Sequence, residues 1–222
     1  MNMHRLVVFV ALTLSAAPVA AQTHMGSTRP AQERPGLIAF GSLDSLSIAS
    51  SKTFDAVFGT SRTHSIGAGI DVVNAWRHVF VRVAASKASL DGERVVIVNS
   101  TVYKLGTKLT MDMTPTEIGA GWRFTSSRAG ARITPYIGAS AVLLAYKETS
   151  AFADTGENVS ETFKGAGVFG GVDVRITRQF LVGGEAQYRT INSAPAANSA
   201  AASFNEKNLG GAVFRLKLGV RF

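Results

Sequence analysis

Three groups of residues in this 222-residue chain are of types that could do chemistry. The first is Gly165-Ala166-Gly167-Val168-Phe169-Gly170, which has the glycine spacing of a dinucleotide-binding turn, with Glu185 near the place where such a fold keeps an acid for the ribose. That chemistry needs a helix directly after the turn, and here a period-two pattern runs straight through 163–176, so the glycines belong to a strand and no nucleotide is expected. The second group is His64 beside Ser65, with Asp55 a little earlier. A hydroxyl nucleophile and its base must lie within hydrogen-bond reach, which this spacing does not show, so no catalytic residue is assigned. His24 and His78 lie elsewhere, cysteine is absent and no spaced carboxylate loop occurs, so neither a metal nor a cofactor is expected. The third group is charged: Arg82, Glu117, Glu185, Arg189, Arg215 and Lys217 each interrupt an otherwise apolar, glycine-rich strand pattern.

The elements that must position those charges are clearest at the end of the chain. From Phe222 backwards, Val220, Leu218, Leu216, Phe214 and Ala212 fall on one side of an extended strand, and Arg221, Gly219, Lys217, Arg215 and Gly211 on the other. A tilted strand crosses a bilayer in about 9–11 residues, alternating lipid-facing apolar with lumen-facing polar positions. A soluble barrel would write the same letters with its apolar side inward, so other features must decide.

Export is the first of these. Arg5 gives a positive start, 6–17 an apolar core and Val19-Ala20-Ala21 a small-residue cleavage site, so 1–21 reads as a signal peptide whose core is too short to span a bilayer. Its removal leaves 22 Lys and Arg against 15 Asp and Glu, still a basic chain. The positive residues are dispersed rather than gathered in a stripe, so no nucleic acid is expected. Residues 22–35, with Pro30 and Pro35 and no periodicity, form a flexible lead-in, and 36–222 form the main domain. No later stretch approaches the roughly 18 consecutive apolar residues of a membrane helix, so an exported chain that enters a membrane must do so as a closed barrel.

Alternation, poorer in the first, places one strand within 36–48 and the others at 65–73, 78–86, 109–124, 131–147, 163–176, 180–191 and 210–222. Short turns are expected at 74–77, 125–130 and 177–179, and long connections at 49–64, 87–107, 148–162 and 192–207. Within 87–107, the runs 94–98 and 101–105 about Asn99-Ser100 predict a small hairpin beyond the membrane. The fold expected is therefore all-β: an eight-stranded antiparallel up-and-down transmembrane barrel with short periplasmic turns and long outer loops.

Two observations favour lipid outside over a dry core inside. Most strand glycines fall on the charged side, where a narrow interior needs room for Arg and Glu. Trp76, Trp122, Phe124, Phe180 and Phe222 cluster at the inferred periplasmic ends, the place of an interfacial girdle. With Gly119-Ala120-Gly121-Trp122-Arg123-Phe124, Pro135-Tyr136-Ile137-Gly138 and the terminal Leu216–Phe222, the chain resembles the small eight-stranded outer-membrane barrels of Gram-negative bacteria, the OmpA- and OmpX-like proteins. The resemblance implies that Phe222 is read by the barrel-assembly machinery. A monomer in the outer membrane is expected, its outer Lys and Arg meeting acidic lipopolysaccharide or lipid headgroups.

The six inward charges are costly to bury unless paired, so a salt-bridge network plugging the lumen is expected. A non-enzymatic protein that supports the membrane and offers surface contacts follows. The alternative is a narrow ion or small-solute channel, and a third reading is a lipid-modifying enzyme using His64 at the outer rim.

Overall fold

A computed structural model describes residues 35–98, 101–125, 132–150, 158–192 and 204–222. The expected signal peptide and nearly all of the lead-in lie outside these residues, as does most of the turn expected at 125–130. Eight strands form one closed antiparallel barrel: β1 (Gly36–Ile48), β2 (Arg62–Trp76), β3 (Val79–Val98), β4 (Thr101–Arg123), β5 (Ile133–Ser150), β6 (Val159–Arg175), β7 (Phe180–Ile191) and β8 (Gly211–Arg221). Each strand pairs with the next, and β8 returns to β1 with a ladder from Ile38↔Arg221 to Ile48↔Gly211. Both ends of the barrel chain and the short turns share one rim, the turn end; the longer connections share the other, the loop end.

The side chains are inverted relative to a soluble barrel. Leu218 is 64% exposed and Lys217 beside it 1%. Leu43, Ile66, Ile118, Ile137, Val168 and Phe214 likewise point out of the wall. A closed ladder leaves no unpaired edge, which is what hydrocarbon demands of any strand that crosses it.

Three connections differ from the sequence expectation. The hairpin runs expected within 87–107 are not a separate unit: β3 and β4 continue through them, pairing as far as Val98↔Thr101. A register shift between Glu93 and Val95 takes up the extra β4 residues, and Gly106 with φ 70° supplies the left-handed step there. The β5 and β6 strands also extend past their expected ends, as far as the Glu148↔Val159 pair. The segment expected as a polar loop at 49–64 contains a helix, α1 (Ser51–Phe58), which ends at Gly59 with φ 71°. Its first N–H groups are not capped by its own N-cap side chain. Glu206, from the connection between β7 and β8, accepts from Thr53 N and Thr53 Oγ1 at 2.8 Å each and from Lys52 N at 3.2 Å. That cap is invisible in the local sequence, because it arrives from more than 150 positions away.

The lumen is filled in layers. At the loop end, Phe54 of α1 packs with Leu46, Ile48, Met111, Met113, Leu144 and Val213 in an apolar plug. At the turn end, Phe80, Tyr136, Phe169, Ile38 and Leu181 form a second apolar cluster. The charged side chains lie between them, since along β1 the inward positions read Ile38, Phe40, Ser42, Asp44, Leu46 and Ile48 from turn end to loop end.

The wall's inversion is tested by Leu216→Arg. On a lipid-facing surface near mid-depth it should cost about 2–4 kcal/mol. The cost is read from the urea midpoint of protein refolded in phospholipid vesicles; on a water-facing surface the same change would be close to neutral.

Candidate functional site

The charged layer arises directly from register. Asp71 is the cross-strand partner of Arg82, Asp44 of Arg215, and Glu185 of Arg215 on its other side. Facing side chains in such pairs lie within contact distance, so opposite charges placed there pair without further rearrangement. Arg82 donates through Nε and Nη2 to both oxygens of Asp71, at 2.7 and 2.9 Å, and through Nη1 to Glu185. Arg215 makes the same two-pronged contact with Asp44, 2.9 Å at each oxygen, and reaches Glu185 Oε1 and Glu117 Oε1 at 3.3 Å.

Glu185 is the hub. Arg82, Arg215 and Tyr136 Oη all donate to it, the last at 2.8 Å, and Lys217 Nζ stands 4.0 Å away. Glu117 holds the other side of the lumen: Arg189 Nη2 lies 2.6 Å from its Oε1, and Gln187 Nε2 donates to its Oε2 at 3.1 Å. Arg189 Nε in turn donates to Gln187 Oε1 at 3.0 Å, which closes the ring. Toward the turn end, Asp173 sits 3.0 Å from Lys217 Nζ and 2.8 Å from Arg123 Nη2. The Arg189–Glu117 and Arg123–Asp173 contacts are ion pairs whose angles fall outside hydrogen-bond geometry.

The layer is electrically closed. Five acids, Asp44, Asp71, Glu117, Asp173 and Glu185, meet five bases, Arg82, Arg123, Arg189, Arg215 and Lys217, all buried. The structure thus brings together all six charges singled out in the sequence, and adds Asp44, Asp71, Asp173 and Arg123. The added acids were legible in principle, since Asp71 stands opposite Arg82 once the strands are in register.

Aromatic rings complete the setting, and these the sequence reading did not include. The Arg82 guanidinium carbon lies 4.8 Å from the Phe169 ring centre and 5.3–5.5 Å from those of Phe40, Phe80 and Tyr136. Lys217 Nζ is 4.3 Å from the Tyr136 ring centre. Each of the four rings faces a glycine as its cross-strand partner: Phe40↔Gly69, Phe80↔Gly121, Tyr136↔Gly171 and Phe169↔Gly138. A Cβ at position 69, 121 or 138 would come within about 2.6 Å of the facing ring. The lumen glycines therefore make room for rings as well as for the cations expected from sequence, such as Arg82 opposite Gly119 and Lys217 opposite Gly183.

The remaining candidates are also placed. Trp76, Trp122, Phe124, Phe180 and Phe222 are all exposed, at or near the strand termini of the turn end. His64 and Ser65 are neighbours in β2 and so point to opposite faces, His64 outward and Ser65 into the lumen, which separates the pair that a hydroxyl nucleophile would need. Residues 165–170 lie within β6, and the next element is strand β7. Among the described residues no group of three or more His, Cys, Asp or Glu is arranged to hold a metal ion.

A sequence model for the outer membrane protein β-barrel domain matches residues 7–222. No curated protein sequence matches the chain significantly. Among solved structures, the crystal structure of a major outer membrane protein from Thermus thermophilus superposes with a TM-score of 0.51 at 9% identity, over 83% of this chain and 99% of that one. The Neisserial surface protein A crystal structure gives 0.47 at 14% identity, over 84% and 95%. The solution structure of E. coli outer membrane protein W gives 0.48 at 18%, over 86% and 99%. At these identities the likeness concerns the fold alone, and the fold argument rests on the first of the three.

Glu185→Gln should leave Arg82, Arg215 and Lys217 short of one negative charge in a dry site, at a cost of about 3–5 kcal/mol. The urea midpoint in vesicles measures it. Adding Lys217→Met to that variant should recover part of the loss, because the two sites share one charge balance.

Proposed function

Because this chain belongs to the outer membrane protein β-barrel domain family, we propose that it is a closed, non-enzymatic barrel of the bacterial outer membrane, whose work is to stabilise that membrane and present its loop end to the surroundings. One observation carries the reading: the lumen is filled along its length, apolar at both ends and neutralised by ion pairs between them. A conducting path needs either water or a chain of weakly held sites. Here Arg82 is 0% exposed and held by carboxylates on two sides, and the loop-end plug is apolar around Phe54, Met111, Met113 and Leu144.

The placement of the other residues supports the same assignment. Trp76, Trp122, Phe124 and Phe180 form the interfacial girdle of the periplasmic side, which makes the turn end periplasmic. Phe222 is the residue the assembly machinery reads, and 1–21 is removed on export. Lipopolysaccharide meets the basic side chains of the loop end, among them Lys104 and Lys108 on the outer hairpin. The opposed directions of His64 and Ser65 support the non-enzymatic part of the reading.

Planar-bilayer recording tests it. Purified protein should give no discrete conductance steps, and steps that survive repurification would restore the channel reading. In lipid extracts from cells carrying the wild type or His64→Ala, identical lipid profiles are expected; a modification lost with His64 would overturn the non-enzymatic assignment.

A further inference from the structure

The ion pairs of the lumen cancel, so the surplus of 22 Lys and Arg over 15 Asp and Glu that remains without residues 1–21 is borne elsewhere, and part of it converges on one place. A pocket opens at the turn end, and Arg123, Arg132, Arg175, Arg178 and Arg221 are among its lining. These come from four separate pieces of chain: the end of β4, the start of β5, the end of β6 with its turn, and the end of β8. The one acid in the lining is Asp173, and Lys217 and Arg123 already share it. Arg132, Arg178 and Arg221 add positive charge around the Arg123–Asp173 pair, and the arrangement is eased when an anion sits among them.

A second observation concerns a residue of the same lining. Arg123 is only 6% exposed, and its Nη1, like both carboxylate oxygens of Asp173, has no hydrogen-bond partner among the described residues. Its guanidinium is held from the lumen side by Asp173 and by the rings of Phe80 and Tyr136, at 5.8 and 5.7 Å. A buried donor that is fixed in place yet unsatisfied marks where a ligand oxygen belongs. The rim above it is also fixed. Thr177 Oγ1 accepts from the N–H groups of Gln179 and Phe180 at 3.2 and 2.9 Å, which sets the turn carrying Arg178. Arg175 N donates to Arg132 O at 2.8 Å, and Arg221 N to Gln179 O at 2.7 Å.

We propose that this pocket is a binding site for a phosphate group at the periplasmic mouth of the barrel. Planar forks arriving from several directions suit a tetrahedral oxyanion with three or more free oxygens better than they suit a flat carboxylate. Two sources supply that chemistry there, free phosphate and the headgroup of a lipid in the periplasmic leaflet. The exposed ring of Phe180, in the same lining, stands where a headgroup meets the wall. The lipid source rests on the membrane orientation proposed above; the anion site itself does not.

The experiment compares wild type with Arg178→Gln/Arg221→Gln, both refolded in a maltoside detergent and phosphate-free buffer, with the unheated gel band as the folding control. Calorimetry follows titration with inorganic phosphate in one arm and with dihexanoyl phosphatidylglycerol in the other. Saturable binding of at least one probe, weakened at least 10-fold in the double variant, is expected. Binding of the lipid alone assigns the headgroup as the source, and equal binding of both assigns the phosphate group by itself. The proposal is overturned if neither probe saturates, if the double variant binds as wild type does, or if succinate binds as tightly as phosphate. It is also overturned if Lys104→Gln/Lys108→Gln, which removes the same charge at the far end, weakens binding equally. A barrel that conducts and still binds phosphate would sink the closed-lumen reading while leaving this site standing.

Discussion

Hydrocarbon offers no hydrogen-bond partner to a strand edge, so the ladder that joins β8 to β1 decides whether any of the other strands can stay in a membrane. Once the sheet is closed, its inside is a space barely wide enough for side chains. Every large group placed there is cut off from bulk water, and charges must then find partners within the barrel itself. The matched set of five acids and five bases follows from that enclosure. In an open or water-filled sheet the same residues would have no reason to balance.

How the balance is reached also follows from closure. Antiparallel register puts Asp71 opposite Arg82, and Asp44 and Glu185 on either side of Arg215, so three contacts come with the ladder. The others cross the lumen, where Arg215 and Arg189 both meet Glu117. A network of this kind need not stabilise the barrel relative to a greasy filling of equal volume. What it does impose is register: sliding any strand by one residue would turn its charges into lipid and its leucines into the lumen. The ion pairs therefore select one alignment of the strands more strongly than they deepen its free energy.

The wall was easy to read from sequence, and the filling was not. Alternation gave all eight strands, with β7 at its observed bounds and β1 only located within Gly36–Ile48, because period two survives wherever one side meets lipid and the other meets ions or glycine. At the loop end it placed Ala141, Leu143 and Ala145 of β5 outward, as found, but not the apolar filling. There Val142, Leu144 and Tyr146 point inward, so the strand is apolar on both sides. The run of apolar residues from Ala139 to Tyr146 was the available sign of a dry interior, with only Ser140 breaking it. Helix α1 was hidden for a different reason: it is short, and its cap comes from Glu206. The glycines were visible, but pairing each with its ring requires knowing the register first.

That pairing gives the layered lumen its physical sense. A ring opposite a glycine leans across the empty site, and four rings doing so surround Arg82 with aromatic faces. These faces displace water that would otherwise solvate the guanidinium, and in the drier site its contacts with Asp71 and Glu185 become stronger and more costly to break. The plug under α1 has the same effect from the loop end. Neither apolar layer touches every ion, yet both are needed, because one open end would admit water and screen the pairs. The wedge of rings at the turn end has a further consequence. It separates the neutral interior from the arginines at the mouth, so that the Arg123–Asp173 pair belongs to both.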